Sequence, residues 1–159
     1  MPILAIIVVM ILELSGRNNV SLDRKGRLAI PARLRAAFPE DQQTVVILTR
    51  GFDPCITGYY DKSWKAFQEI FYDNELSQEE MDIIEREFIG RKLEASFDKQ
   101  GRITLPPDLI RFAQLENASD ATIIGVRNRI EIWNHELYDD IRAEKESVIQ
   151  GLRQKLKVG

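Results

Sequence analysis

Short apolar runs bounded by turn residues alternate with segments of helical spacing along this chain. Runs rich in β-branched residues occur in two pairs, and each pair follows a short amphipathic segment that starts at a proline. This pattern predicts two similar groups of one short helix and two strands. The predicted strands are residues 44–49, 55–60, 121–126 and 129–133, and the predicted short helices are residues 32–38 and 107–115.

Two longer helices are predicted between these groups. Trp64, Phe67 and Phe71 stand at i, i+3 and i+7, the spacing of a buried helical face. A second helix opens with the capping box of Ser77 and Glu80. Its predicted buried stripe consists of Met81, Ile84 and Phe88.

A last helix is predicted to start at Asn134 as its N-cap, with Trp133 and Tyr138 packed together across the first turn. We expect it to continue without a break to the end of the chain. Its apolar side consists of Leu137, Ile141, Val148, Leu152 and Leu156.

Residues 21–31 return 75 positions later as residues 96–106. Over residues 21–34 against 96–109, six of fourteen positions are identical, and most others exchange similar residues. Self-similarity of this kind indicates a duplicated supersecondary unit. Each copy contains a D-x-x-x-R box, Asp23 to Arg27 in the first copy and Asp98 to Arg102 in the second.

Each box has the chemistry of a type I turn, with Asp at its first position and Gly at its fourth. The Asp carboxylate can accept backbone N–H groups, and Gly adopts the positive φ that a bulged hairpin needs. One interpretation is a hairpin tip with a surface ion pair, worth about 0 to 1 kcal/mol. Turn geometry does not require the Arg, however, so its repetition indicates that the guanidinium is presented to a partner.

The chain has 159 residues, 44% hydrophobic and 30% charged, with one cysteine and one histidine. One cysteine excludes an intramolecular disulfide and fits a reducing cytoplasm, and one histidine leaves no Cys/His metal cluster. We interpret Cys55 as a core residue and His135 as an exposed surface residue. Without a nucleophile–base pair or a glycine-rich phosphate loop, the sequence favours no enzyme, no catalytic residue and no cofactor.

The net charge of −3 does not suggest a nucleic-acid binder, but the charges are unevenly distributed. Residues 17–35 hold six basic side chains and one acidic one, a local charge of +5. Residues 69–87 hold eight acidic side chains and one arginine. We expect this acidic stretch to form a solvated helical face directed away from DNA.

The chain resembles the MraZ family over about residues 14–150. The resemblance is carried by both boxes, by the G-R-[LI]-x-[IL]-P run after each aspartate, by Thr49-Arg50-Gly51-Phe52-Asp53 and by Arg129-Ile130-Glu131-Ile132-Trp133. It implies an α+β fold of two tandem AbrB-type swapped-hairpin, β-barrel-like units with short helices and a C-terminal helix. It also implies a transcriptional regulator of the division and cell-wall gene cluster that regulates its own gene. Such a regulator would bind double-stranded promoter repeats as a homo-oligomeric ring, in the cytoplasm at the nucleoid.

Arg27 and Arg102 are the candidates for base contact, because Arg reads guanine bidentately in a major groove that admits a β-ribbon. Asp23 and Asp98 would orient them. The remaining candidates are Arg24, Lys25 and Lys99 for phosphates and Gly26 and Gly101 for the turns. The second box is less basic, since Gln100 and Asp108 replace Lys25 and Arg33, so we expect the first box to supply more of the affinity.

We divide the chain into a first unit at residues 14–60, connecting helices at 61–90, a second unit at 91–133 and a terminal helix at 134–159. Residues 1–13 form an N-terminal extension whose apolar run, residues 2–12, is too short to span a membrane and lacks signal-peptide features. We interpret it as a start codon assigned too far upstream, with Met10 as the true start. The alternative is an added strand.

Each unit has only about four short strands, too few to bury its apolar residues or cover its strand edges alone. We therefore expect an unstable monomer. The duplicated unit lets one chain pair its two halves, and the imperfect repeat favours head-to-tail contacts that close into a ring. The alternative function is an oligomeric protein-interaction scaffold without DNA binding, in which the D-x-x-x-R pairs join subunits.

Overall fold

The computed structural model describes residues 14–157, so the predictions for residues 1–13 lie outside the described residues. The strands are β1 (Arg17–Ser21), β2 (Arg27–Ala29), β3 (Val45–Arg50), β4 (Ile56–Tyr59), β5 (Leu93–Ser96), β6 (Arg102–Thr104), β7 (Asp120–Val126) and β8 (Arg129–Trp133). The helices are α1 (Ala32–Ala36), α2 (Asp61–Tyr72), α3 (Gln78–Ile84), α4 (Pro107–Phe112), α5 (His135–Glu144) and α6 (Glu146–Leu156). A 3₁₀ turn (Glu40–Gln42) follows α1, and a π-helical turn (Glu85–Ile89) follows α3.

Six strands form an antiparallel sheet in the order β1-β7-β8-β4-β3-β5, and β2 pairs with β6 in a separate two-stranded ribbon. The 75-residue repeat exchanges β1 with β5, β3 with β7, β4 with β8 and β2 with β6. That exchange leaves both the strand order of the sheet and the pairing within the ribbon unchanged. The duplication is therefore visible as a pseudo-two-fold axis that passes between β4 and β8 and between β2 and β6.

The simple hairpin predicted at each box is wrong in its strand partners. The strands that flank the first box, β1 and β2, pair with β7 and β6 of the second copy. Turn chemistry fixes the chain reversal but not the partner of each strand, and here both strands find partners in the other copy. The swapped arrangement implied by the resemblance, and the α+β class with it, is confirmed.

One apolar core lies between the ribbon and the sheet. Its fully buried side chains come from both copies, with Leu28 and Ile103 from the ribbon facing Leu48 and Ile123 from the sheet. The two copies thus bury their apolar residues against each other within one chain. The prediction that one chain pairs its two halves is confirmed, and within residues 14–157 the outer strands of the sheet are β1 and β5.

The central helices largely match the prediction. Trp64 is buried on α2, and the capping box of Ser77 and Glu80 is present at the start of α3. Phe88 is buried, but Met81 and Ile84 are only half-buried, so the predicted stripe of the second helix is only partly in the core. None of the helices within residues 14–157 has the length and apolarity needed to cross a bilayer.

The last helix starts as predicted, because the Asn134 side chain accepts a hydrogen bond from the backbone N–H of Leu137. Its predicted continuity is wrong. The N–H of Lys145 donates to the carbonyl of Arg142, an i→i−3 bond that tightens and ends α5 before α6 begins. Ile141 on α5 is half-buried, whereas every described side chain of α6 is exposed.

Candidate nucleic-acid interface

The β2–β6 ribbon brings the two boxes together although they are 75 residues apart. Arg27 lies opposite Thr104, and Arg102 lies opposite Ala29. Because side chains alternate along a strand, Leu28 and Ile103 point into the core, and both arginines are on the outer face. In this register the arginines are diagonal neighbours, with Cα atoms about 7–8 Å apart.

Each arginine is held by the aspartate of its own box. Asp23 accepts hydrogen bonds from the N–H groups of Lys25 (2.9 Å) and Arg27 (2.8 Å) and from Arg27 Nε (2.7 Å). Asp98 repeats this set with Gln100 N (2.8 Å), Arg102 N (2.9 Å) and Arg102 Nε (2.8 Å). The carboxylate thus fixes the turn and the guanidinium together.

These hydrogen bonds also set the ionisation of the aspartates. The backbone N–H of Arg27 holds the pKa of Asp23 below its usual range, helped by the Arg27 side chain and the N–H of Lys25. The same groups of the second box lower the pKa of Asp98. A carboxylate that accepts several hydrogen bonds is favoured in its charged form, so both ion pairs persist at neutral pH.

The box glycines serve both the turn and the contact between copies. Gly26 has φ of 78° and Gly101 has φ of 74°, and the backbone of a residue with a side chain is strained at such values. A Cβ on Gly26 would lie 3.0 Å from Ile110 Cδ1 on α4, and one on Gly101 would lie 2.6 Å from the end of Arg35 on α1. Each turn therefore packs closely against the helix of the other copy.

Exposed cations surround the two arginines. Arg24, Lys25 and Lys99 are exposed, and their side chains have no hydrogen-bond or ion-pair partner among residues 14–157. The ribbon and its turns therefore carry an outer face with five positive charges, of which the carboxylates of Asp23 and Asp98 balance two.

The acidic segment lies across the sheet from this face. Val46 and Leu48 belong to the core beneath the ribbon, whereas Ile47 between them packs with Trp64 of α2 on the opposite face. The acidic residues 69–87 begin on α2. The sheet thus separates the positive ribbon from the main negative charge of the chain.

A family model described as "MraZ protein, putative antitoxin-like" matches residues 14–87 and 88–158. The chain belongs to the MraZ family. The two matched segments follow one another along the chain, as expected for a duplicated unit.

Two relatives support the assignment along most of the chain. The transcriptional regulator MraZ of Natranaerobius thermophilus is 35% identical over 141 residues, which cover 89% of this chain and 94% of the relative. The transcriptional regulator MraZ of Cytophaga hutchinsonii is 35% identical over 142 residues, 89% of this chain and 92% of the relative. The family is thus one of transcriptional regulators rather than enzymes.

The two boxes of this MraZ chain differ in one contact that sequence reasoning missed. Arg102 Nη2 donates to Gln100 Oε1 at 3.2 Å. The corresponding residue of the first box is Lys25, which cannot accept such a bond, and the Arg27 Nη groups have no hydrogen-bond partner in the described part of the chain. The first guanidinium is therefore the more available of the two.

Some basic residues that suggested a positive surface serve the fold instead. Arg33 donates through its two Nη groups to the Ser15 carbonyl and the Asn18 side chain, and Arg35 Nε donates to the Ile30 carbonyl at 3.1 Å. Counting charges along the sequence could not separate these arginines from those of the boxes.

The cysteine and the histidine both contact other residues of the fold. Cys55 is buried, as predicted, and burial raises the pKa of its thiol. His135, predicted to be a surface residue, keeps 41% of its side chain exposed, and its Nδ1 lies 3.0 Å from the hydroxyl of the buried Thr122. Within residues 14–157, no cluster of His, Cys, Asp or Glu could hold a metal ion.

Proposed function

We propose that this chain is a sequence-specific DNA-binding transcriptional regulator that reads DNA with the outer face of the β2–β6 ribbon. The observation that supports this best is the placement of Arg27 and Arg102 as diagonal neighbours on that face, each held by an aspartate. A preset guanidinium loses little conformational entropy on binding, so it is suited to specific recognition.

The ribbon matches the dimensions of the major groove. That groove is about 12 Å wide and admits a two-stranded ribbon, in which Arg donates two hydrogen bonds to guanine O6 and N7. Since Asp23 occupies only Nε of Arg27, both Nη groups remain for a base. The phosphate contacts are assigned to Arg24, Lys25 and Lys99, which extend from the turns.

The biological target follows from the family resemblance. The proposed sites are repeated short boxes upstream of the division and cell-wall genes, including the regulator's own promoter. A ring of copies at the nucleoid would engage several boxes at once, and this multivalency would compensate for weak single contacts.

The test is binding of the purified chain to its own upstream DNA over a series of salt concentrations, measured by fluorescence anisotropy. Three phosphate contacts in each chain give an expected slope of about −2.7 in log K against log salt. The Lys25→Ala variant should lower the magnitude of that slope by about 0.9.

The alternative scaffold without DNA binding makes the opposite prediction. It gives no binding to any DNA even at low salt, where counterion release favours a DNA-binding protein most. Binding that is equal for upstream and scrambled DNA would contradict base reading by Arg27 and Arg102 while leaving the phosphate contacts in place.

A further inference from the structure

A groove of ≈ 730 Å³ lies between the turn of the first box and helix α4 of the second copy. One side of the groove is the turn itself, and the other side is α4 with residues 115–119, which follow it along the chain. The groove therefore adjoins the proposed DNA-binding face at the first box, and its two sides belong to different copies of the repeat.

Arginine side chains from both copies line this groove. Arg24 on the turn and Arg111 on α4 are exposed, and neither side chain has a hydrogen-bond or ion-pair partner within residues 14–157. Among the described residues, Asp23 and Glu116 are the acidic side chains of the lining. Asp23 is already paired with Arg27 at 2.7 Å. Glu116 alone is therefore left in this lining to offset two arginines, and the groove favours an anion.

The repeat shows that the exposed arginine on the short helix is particular to the second copy. A shift of 75 positions matches Arg111 with Ala36 and Ile110 with Arg35. Arg35 is half-buried, its Nε donates to the Ile30 carbonyl at 3.1 Å, and its end lies against the turn of the second box. Each box thus has an arginine of the other copy beside it, but Arg35 is engaged by the fold, whereas Arg111 is exposed.

The position of the groove suits a phosphate of the DNA backbone. When a β-ribbon lies in the major groove, the two sugar–phosphate backbones pass along its sides. Arg24 at the tip of the first turn is a proposed phosphate contact, so the backbone passes close to the groove. Arginine binds phosphate through two parallel hydrogen bonds, and Asn and Ser side chains also donate to DNA phosphates. Asn117 and Ser119 line the same groove, so its lining offers both charge and neutral donors.

We infer that Arg111 and Arg24 together bind one backbone phosphate of the DNA across this groove. Arg111 lies outside both D-x-x-x-R boxes, and it belongs to the copy opposite the first box. The first box is thus completed by a residue of the second copy, whereas the second box has Ala36 at the equivalent position. This inference rests on the proposed function, and it adds a fourth phosphate contact to the three assigned there.

The experiment measures binding of the wild type and Arg111→Ala to upstream and scrambled DNA, by fluorescence anisotropy over a series of salt concentrations. A fourth phosphate contact changes the expected wild-type slope of log K against log salt from about −2.7 to about −3.6, and Arg111→Ala should return it to about −2.7. The affinity ratio of wild type to variant should then shrink roughly 3.5-fold between about 50 and 200 mM salt. The loss should be equal for both DNA sequences, because phosphate contacts carry no sequence information.

Two control variants separate the charge at this position from other effects. Arg111→Lys keeps the positive charge, so it should keep the wild-type slope. Arg86→Ala removes an arginine that is 74% exposed from the acidic side of the sheet, and it should bind both DNA sequences like the wild type. Urea unfolding of Arg111→Ala should match the wild type, because this side chain is exposed and Ala is the best helix former.

Three results would overturn the inference. A wild type that binds no DNA even at low salt would remove both this contact and the proposed function. If the wild type binds DNA and Arg111→Ala has the same slope and affinity, the phosphate contact is refuted and the proposed function stands. A loss confined to upstream DNA, or an Arg111→Lys variant that loses as much slope as Arg111→Ala, would show that Arg111 does not act through its charge on a phosphate.

Discussion

Replacing Arg27 with Ala should show whether its guanidinium binds DNA or stabilises the fold. The Arg27–Asp23 pair has an N–O distance of 2.7 Å, and both side chains are about one-third exposed, 33% and 35%. A pair this exposed contributes at most about 1 kcal/mol to folding. Asp23 keeps its two backbone hydrogen bonds in the variant, so the turn should persist.

The effect on DNA binding should be much larger. A bidentate arginine contact discriminates by about 1–3 kcal/mol, which corresponds to roughly 5- to 150-fold in affinity for one chain. When several chains of a ring bind together, the loss is multiplied. Arg102→Ala should weaken binding less, because Gln100 already engages that guanidinium and the second box carries fewer positive charges.

The assay pairs gel shift with size-exclusion chromatography and urea unfolding on the same samples. Arg86→Ala is the matched control, since Arg86 is 74% exposed and also pairs with an aspartate four residues away, Asp82 at 3.7 Å. It removes the same charge from the opposite, acidic side of the sheet. We expect the control to bind DNA as tightly as the wild type.

Two outcomes would refute the reasoning. If Arg27→Ala breaks the assembly or lowers the free energy of unfolding by several kcal/mol, the arginine is structural. If it binds upstream DNA as well as Arg86→Ala does, the ribbon is not the reading surface.

Three further predictions concern the turns and the core. Gly26→Val should misfold the first turn, because φ of 78° costs an L-residue about 1–2 kcal/mol and its Cβ would lie 3.2 Å from the Leu105 carbonyl; urea unfolding measures the loss. Because folding lowers the pKa of Asp23 and of Asp98, their contribution to the free energy of unfolding is complete above about pH 4, near the ordinary Asp pKa. That contribution is lost as the pH falls through the lower folded-state pKa. The free energy of unfolding of Asp23→Asn should therefore depend less on pH in the acid range. The Cys55 thiol, buried and with a raised pKa, should react with a disulfide reagent only as fast as the chain unfolds, and rapid native-state labelling would contradict its core position.

Local chemistry predicted the parts of the fold that depend on neighbouring residues. Asn134 caps α5, and the rings of Trp133 and Tyr138 pack 5.2 Å apart across its first turn, as the spacing indicated. The turns at both boxes likewise follow from Asp and Gly at fixed positions. In each case the decisive contacts lie within five residues, so the sequence contains them directly.

Strand partners could not be predicted from the same local signals. Alternation assigns Leu28 to a buried face, but a strand of three residues carries too little pattern to choose between β1 and β6 as its partner. The exchange between copies brings Ile103 beside Leu28 and thereby places Arg102 beside Arg27. The candidate site was thus predicted residue by residue, but its assembly on one ribbon depends on pairing across 75 positions.

Long-range side-chain contacts were equally hidden. His135 looked like a surface residue in a polar first turn, yet Thr122 on β7 lies beside its ring. Arg50, part of the family resemblance, stacks on the ring of Phe112 from the other copy with a separation of 4.3 Å. Neither contact could be predicted from the composition or from the hydrophobic periodicity of the sequence, because each depends on how α4 and α5 pack against the sheet.

Fusion of two copies in one chain permits differences that a symmetric dimer of identical chains could not have. In such a dimer both boxes and both helical arms, α2 with α3 and α5 with α6, would be the same, and the contacts of one arm could not differ from those of the other. Here Lys25 is matched by Gln100, and the acidic arm of α2 and α3 is matched by an arm that ends in the basic α6. A head-to-tail contact requires two unlike surfaces on one chain. The divergence of the arms therefore supplies what the proposed ring needs, while the similarity of the boxes preserves a two-stranded ribbon with an arginine from each copy.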